Sequence, residues 1–327
     1  MVVVLGLGGL WWYVRITKDS APTPLTSVIL KLNWRHEAEF AGNYVAIEKG
    51  FYKKEGLVVN IEEYNPDGDT AIDALVAGRA DFAIAGADEV IKARQAGKFV
   101  KSVAVIFKIN PAVAFALKSS GIKRPQDFVG KKVGLERGIN VDNLYAAMMN
   151  NVGIDRSKIK EVSVGYDAKE LMNGTVDVST GWITNEPQLA VQAGYPVNIF
   201  LMADYGVNMY ADTIVTTDKM IAENPKLVEQ FVRGTLGGWQ YAIENESEAV
   251  DITMKYAKDS TRTHQAYVLS VSIPLINTGS NRLGWMDFSA WSQAQNILFE
   301  QKLLSKKIII SDVFTMDFIK LIYKTNE

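Results

Sequence analysis

The sequence predicts an α/β protein whose two similar lobes face each other across a ligand cleft. Three observations predict it. Strand-like and helix-like stretches alternate along the chain. One phrase is written twice, as GRADFAIAGADE at 78–89 and as GTVDVSTGWITNE at 174–186. The 327 residues, 48% of them hydrophobic, exceed one average domain and supply a sizeable core.

The elements follow in order. SVILKLNW (27–34) alternates apolar and polar residues as a strand does. GNYVAIEKGFYKKEGL (42–57) places apolar residues near helical spacing, with Gly56 as its stop. VVNIEEY is a strand, NPDGD a turn into the helix TAIDALVAG, ADFAIAG a strand, ADEVIKARQAG a helix and VKSVAVIF a strand. A second series opens with the strand AVAFALKSSGI (112–122) and continues through a turn, a short helix and a strand in RPQDFVGKKVGLERG. NVDNLYAAMMNNVGI, AKELMNG and NEPQLAVQAG read as helices, and IKEVSVGY, VDVSTGW and PVNIFLM as strands. Such alternation makes mostly parallel sheets. The last third is helix-rich, and its Trp239, Trp285 and Trp291 fall in contexts that suit a core.

Aligned without gaps, the repeated phrases share Leu75 with Leu171, Gly78 with Gly174 and Asp81 with Asp177. Each is helix, glycine turn, aspartate, strand, then a polar-tipped loop into a helix. In parallel sheets ligands sit beyond the carboxyl ends of strands. The loops at 86–88 and 182–186 therefore aim at a common edge.

Composition narrows the function. Lys plus Arg (35) nearly balance Asp plus Glu (37), so no basic excess points to nucleic acid. With no cysteine and two histidines, a Cys/His zinc site and a cysteine nucleophile are excluded. No metal and no cofactor is expected. The apolar run Val2–Val14, ended by Arg15 and Lys18, resembles a signal-peptide core or a short anchor. It is short for a full span and lacks a basic leader. A lipid anchor would need the missing cysteine. KDSAPTPLTS reads as the linker that follows. The protein is expected to be exported, touching the membrane only through this segment.

The stretch LNWRHEAEFAGNYVAIEKGFYKKEGLVVNIEEYNPDGD carries Trp34, His36, Phe40, Tyr44-Val45-Ala46, Lys49-Gly50-Phe51-Tyr52 and Glu55-Gly56-Leu57. It resembles the N-terminal signature of the periplasmic solute-binding proteins of ABC importers, and within them the family that binds thiamine pyrimidine precursors. ALVAGRADFAIAGADEVIKARQAG, SGIKRPQDFVGKKVG and DYGVNMYADTIVTT are similar to that family's later segments. GWMDFSAW (284–291) is similar to a related riboflavin-importer binding protein. The resemblance spans roughly residues 28 to 304. It implies a type II periplasmic-binding-protein fold: lobe one from 27–112 plus 209–327, lobe two from 113–208, after an N-terminal segment of 1–26. It also implies crossings near Asn110-Pro111 and Met209-Tyr210 that hinge. The implied function is capture of hydroxymethylpyrimidine or its formylamino analogue by a monomer that docks on permease and ATPase subunits. Riboflavin is the competing ligand; sulfonates and nitrate would want a more cationic pocket. The same family contains fungal pyrimidine synthases with a cysteine-rich, iron-linked motif, and the lack of cysteine argues against an enzyme. A sensory module is the third class, disfavoured because no effector follows LIYKTNE.

A planar nitrogen heterocycle needs aromatic faces and a few fixed hydrogen-bonding groups. Trp34 and Trp182 end strands at the cleft, and small Gly86 would face Trp182. His36 and Glu37 follow Trp34 and could reach a ring nitrogen or carbonyl. Phe40 and Tyr44 open the next helix. Asp88, Asn185 and Glu186 stand at helix starts, where capping competes with a ligand role. Glu186 could accept two hydrogen bonds from an aminopyrimidine edge. GLERGINVDN offers Glu136 and Asn140 and a helix N-terminus. Asp204, Tyr205 and Tyr210 flank the second crossing, where hinge and ligand roles compete. His264 reads as surface or structural.

Overall fold

Strand alternation produces two five-stranded sheets, and helices cover them. The computed structural model describes residues 24–137 and 140–325. The apolar run at 2–14 and most of its linker lie outside the described residues. No helix among the described residues is long and apolar enough to cross a membrane.

The first series is β1 (Thr26–Lys31), α1 (Ala41–Glu48), α2 (Phe51–Lys54), β2 (Leu57–Glu62), α3 (Ala71–Val76), β3 (Phe82–Ala85), α4 (Ala87–Gln95) and β4 (Val100–Val105). The second is β5 (Ala112–Leu117), β6 (Lys132–Leu135), α5 (Asn140–Asn151), β7 (Lys160–Ser163), α6 (Lys169–Met172), β8 (Val178–Trp182), α7 (Glu186–Gln192) and β9 (Val197–Leu201). The chain returns as β10 (Thr213–Thr217) and ends in α8 (Asp218–Glu223), α9 (Pro225–Glu244), α10 (Glu246–Thr253), α11 (Arg262–Ile276), α12 (Phe288–Glu300) and α13 (Asp317–Tyr323).

The sheet orders are β2-β1-β3-β10-β4 and β7-β6-β8-β5-β9. They are the same pattern written twice. β1 pairs in parallel with β2 and β3, as β6 does with β7 and β8. β10 and β5 occupy equivalent places and run antiparallel to both neighbours. These reversed strands are the first that follow each passage between the sheets. They enter without a helical crossover, which a parallel neighbour would require.

The repeated phrase does the same work in each sheet. Asp81 takes the Ile29 N–H on its Oδ2 at 2.8 Å, and Asp177 takes the Lys132 N–H on its Oδ2 at 2.8 Å. Each aspartate thereby ties the start of one strand to its parallel neighbour. Gly78 and Gly174 precede them with φ of 70° and 77°, the left-handed turn that ends a helix at low cost for glycine. Leu75 and Leu171 are both buried.

Two local expectations are corrected. The helix expected over 42–57 breaks after Glu48, because Gly50 takes φ 72° and restarts the chain as α2. The first strand stops at Lys31, three residues before Trp34. The tryptophans at 239 and 291 are core, with 1% and 0% exposure, and Trp285 packs partly buried beside the core. One hydrophobic cluster joins residues of both halves, including Val90, Leu135, Leu144 and Trp291. The two halves are thus in contact beside the cleft.

Candidate functional site

The cleft runs along the carboxyl ends of β1, β3, β6 and β8, as parallel-sheet topology dictates. Its floor is a run of carboxyl groups contributed from both sides.

Glu136 follows β6 and is 1% exposed. Neither of its carboxyl oxygens has a hydrogen-bond partner among the described residues. Burial, and then the nearby Glu186 charge, push its pKa up to about 9. Glu136 therefore carries its proton at neutral pH. Glu186, at the start of α7, is equally buried but satisfied. Its Oε2 accepts the Trp182 N–H at 2.7 Å and its Oε1 accepts from Asn185 Nδ2 at 2.6 Å. Gly181 makes room for it, since a Cβ there would lie 2.5 Å from Glu186 Oε2. From the other side, Glu37 is raised by burial, lowered by Arg35 and raised again by Glu186, so these two carboxyls face each other across the cleft.

Behind Glu37 lie Glu39 and Asp212. Burial and the Asp212 charge lift Glu39 well above the carboxylate range, and burial lifts Asp212 to about 6. Asn33 Nδ2 donates to Asp212 Oδ1 at 3.1 Å, while Asp212 Oδ2 finds no donor. Burial and the neighbouring charge therefore favour protonation of this pair. Glu89 completes the run. Its Oε2 accepts the Gly86 N–H at 2.8 Å, and burial together with Asp88 lifts it to about 7. Asp88 is 3% exposed, paired with Lys92 at 3.0 Å, and takes a hydrogen bond from Asn140 Nδ2 at 3.1 Å across the cleft. Asn140 Oδ1 and Asn110 Nδ2 add further buried polar atoms without partners.

At the mouth, a depression of about 500 Å³ is shared by both sides. Arg35, His36, Glu37 and Glu63 border it from the first series, Asn185 and Gln192 from the second, and the 256–264 segment from the return. His264 Nδ1 pairs with Gln188 Oε1 at 2.9 Å across the gap. Burial lowers the pKa of both histidines, with Glu63 opposing it at His36.

The expected site residues divide accordingly. Glu37, Asp88, Glu136, Asn140, Trp182, Asn185 and Glu186 come together at the cleft, and His36 stands at its mouth. Trp34 is there too but 42% exposed, stacked on Tyr64 at 6.0 Å with Arg35 over its ring. Gly86 does not open a flat wall to Trp182: Asp88 Oδ1 and the Ala211 carbonyl fill its side-chain space. Phe40 is core at 1% exposure. Tyr44 is fully buried, stacked on Tyr256 at 4.3 Å, and its hydroxyl is engaged by His36 Nδ1 at 2.9 Å. Asp204 is exposed and Tyr205 packs against the α5 side, its carbonyl held by Asn151. Tyr210 lies behind the cleft, its hydroxyl accepting the Asp287 N–H at 2.8 Å beside a second hollow of about 330 Å³. Helical or crossing position brought these residues forward, but the core or the rear face claims their side chains. Sequence reasoning missed Asn33, Glu39, Glu89 and Asp212. Asn33 beside Trp34, and Asp212 immediately before a strand, were the available signals. His264, read as surface or structural, borders the cleft and bridges to Gln188.

Two α/β lobes with strand order 2-1-3-n-4 and a cleft between them define a type II periplasmic-binding-protein fold. The chain belongs to the NMT1/THI5 like family, which it matches over residues 37–249. It is 28% identical to the riboflavin-binding protein RibY of Chloroflexus aurantiacus, covering 95% of this chain and 96% of that one. It is 24% identical to the formylaminopyrimidine-binding protein of Halalkalibacterium halodurans, covering 89% and 90%. The fold matches the periplasmic aliphatic sulphonate binding protein SsuA of Escherichia coli with a TM-score of 0.71 at 16% identity, over 88% of this chain and 91% of that one.

Proposed function

We propose that this protein is the solute-binding component of an ABC importer and captures a planar nitrogen heterocycle in the cleft. It would work outside the cytoplasmic membrane, deliver its ligand to permease and ATPase subunits, and perform no chemistry on it. The observation that carries the reading is Glu136: buried, protonated at neutral pH, and with both oxygens unpartnered. A protonated carboxyl presents an O–H donor beside a C=O acceptor. An aminopyrimidine edge presents the complementary pair, a ring nitrogen beside an N–H. A thiamine pyrimidine precursor, hydroxymethylpyrimidine or its formylamino analogue, therefore fits. The lactam edge of riboflavin offers the same pair, and RibY supports that second reading by its near full-length match.

Anions fit poorly. The floor collects Glu37, Glu39, Glu136, Glu186 and Asp212, and most of the orphaned atoms there are oxygens, which repel an anion and accept from a ligand's donors. Titration of the full-length protein by tryptophan fluorescence tests this. Saturation by a pyrimidine precursor or riboflavin, with no response to an alkanesulfonate, is expected. Saturation by the sulfonate alone would overturn the reading.

A further inference from the structure

The inner carboxyls account for a heterocycle edge but leave the mouth of the cleft without a role. We infer that the mouth is a separate subsite for an uncharged, hydroxylated tail carried by the ligand, an inference that rests on the heterocycle reading above. Its position follows from shared residues. Glu37 and Asn185 border the mouth, and these same residues meet Glu186 at the floor. A ligand whose flat end reaches Glu136 would project any substituent into this space.

The chemistry of the lining selects the tail. Arg35 and Lys258 are set against Glu37, Glu63 and Asp259, so cations do not outnumber carboxylates. A phosphate or carboxylate tail would meet a mixed and slightly acidic surface. Between the charges stand Gln192, Ser260 and Thr261, groups that can give and take hydrogen bonds. His264 adds one more acceptor. Its Nδ1 faces the Gln188 carbonyl-type oxygen and so holds the hydrogen, and burial keeps the ring neutral, leaving Nε2 with a lone pair. Closely spaced donors and acceptors with no cationic excess suit a chain of hydroxyls. The volume, about 500 Å³, lies in the range of sites that enclose drug-sized ligands, and a bare pyrimidine would leave it to water.

The test compares three flavins that share one ring and differ at the tail, using the full-length protein and calorimetry. Riboflavin carries a ribityl chain, lumiflavin a methyl group, and flavin mononucleotide a phosphorylated ribityl chain. Riboflavin is expected to bind about ten-fold or more tighter than lumiflavin, the effect of one or two net hydrogen bonds, and tighter than the mononucleotide. The double variant Gln192→Ala/Asp259→Ala is expected to narrow the riboflavin-to-lumiflavin ratio. Equal binding of riboflavin and lumiflavin would overturn the subsite. Tighter binding of the mononucleotide would make it an anion site and overturn it as stated. Binding of hydroxymethylpyrimidine with no flavin bound would overturn the tail and leave the heterocycle reading intact. No binding by any flavin or pyrimidine would remove the heterocycle reading and the tail with it.

Discussion

Glu136 concentrates the argument at the scale of one residue. Its pKa is raised by burial from an ordinary 4.5 to about 9. A carboxyl raised on folding contributes stability that is complete below its unfolded pKa and is lost as pH rises through the folded one. Ligand-free protein should therefore lose thermal stability between about pH 4.5 and 9. Glu136→Gln keeps a donor beside an acceptor and cannot ionise. It should flatten that slope and preserve heterocycle binding, whereas Glu136→Ala should weaken binding by roughly ten-fold or more. Melting and titration across this pH range decide it; a Gln variant that binds no ligand would mean that the ionised form is the one in use. This residue was legible in the sequence because it ends a strand and precedes a helix start. The Glu39–Asp212 pair was not, since the two meet across 173 positions of chain, and only the return of β10 beside β3 brings them together. Tyr44 misled for the opposite reason: helical spacing gives the face of a residue and not its neighbour, here Tyr256.

Among the elements, α1 and α9 pack with their backbones in close approach. A Cβ on Gly238 would collide with the Gly42 carbonyl, and one on Gly42 would enter the Trp239 ring. Alanine favours a helix over glycine by about 1 kcal/mol. Here the obstacle is backbone and cannot turn aside, so overpacking wins. Gly238→Ala should cost about 1–3 kcal/mol in urea unfolding, and a stabilised variant would show that the helices separate freely. Since α1 begins just after Phe40 and Glu39, any such separation also disturbs the cleft. The strands and helices themselves were largely readable from periodicity, and the twin role of Asp81 and Asp177 from the repeated phrase. Strand direction was not. Periodicity is identical in parallel and antiparallel strands, so the reversal of β5 and β10 depends on which sheet the chain has just left.

For the molecule as a whole, we propose that the lobes hinge between open and closed forms, with the balance set by what the cleft leaves unsatisfied. Among the described residues, four side-chain hydrogen bonds bridge it: Asn140 to Asp88, His264 with Gln188, Tyr267 OH to the Ile183 carbonyl at 2.7 Å, and Gln301 to the Asn143 carbonyl at 2.7 Å. Each is worth about 0.5–1.5 kcal/mol net. Against them stand buried atoms without partners on Asn33, Glu136, Asn140 and Asp212, at about 1–3 kcal/mol apiece. By these figures the unpartnered atoms outweigh the bridges, so the empty closed form is disfavoured, and a ligand that supplies the missing partners tips it towards closure. Ligand-free protein should be more expanded in small-angle scattering than liganded protein, and more so as pH rises and Glu136 ionises. Tyr267→Phe removes one bridge, so it should lower the closed fraction. Apparent affinity scales with that fraction, and a loss of roughly 2- to 10-fold is expected. Adding ligand in excess should restore the compact form of the variant. If scattering is the same with and without ligand, closure is not coupled to binding and the bridges are fixed packing; if Tyr267→Phe weakens binding without expanding the ligand-free protein, its hydroxyl acts on the site directly.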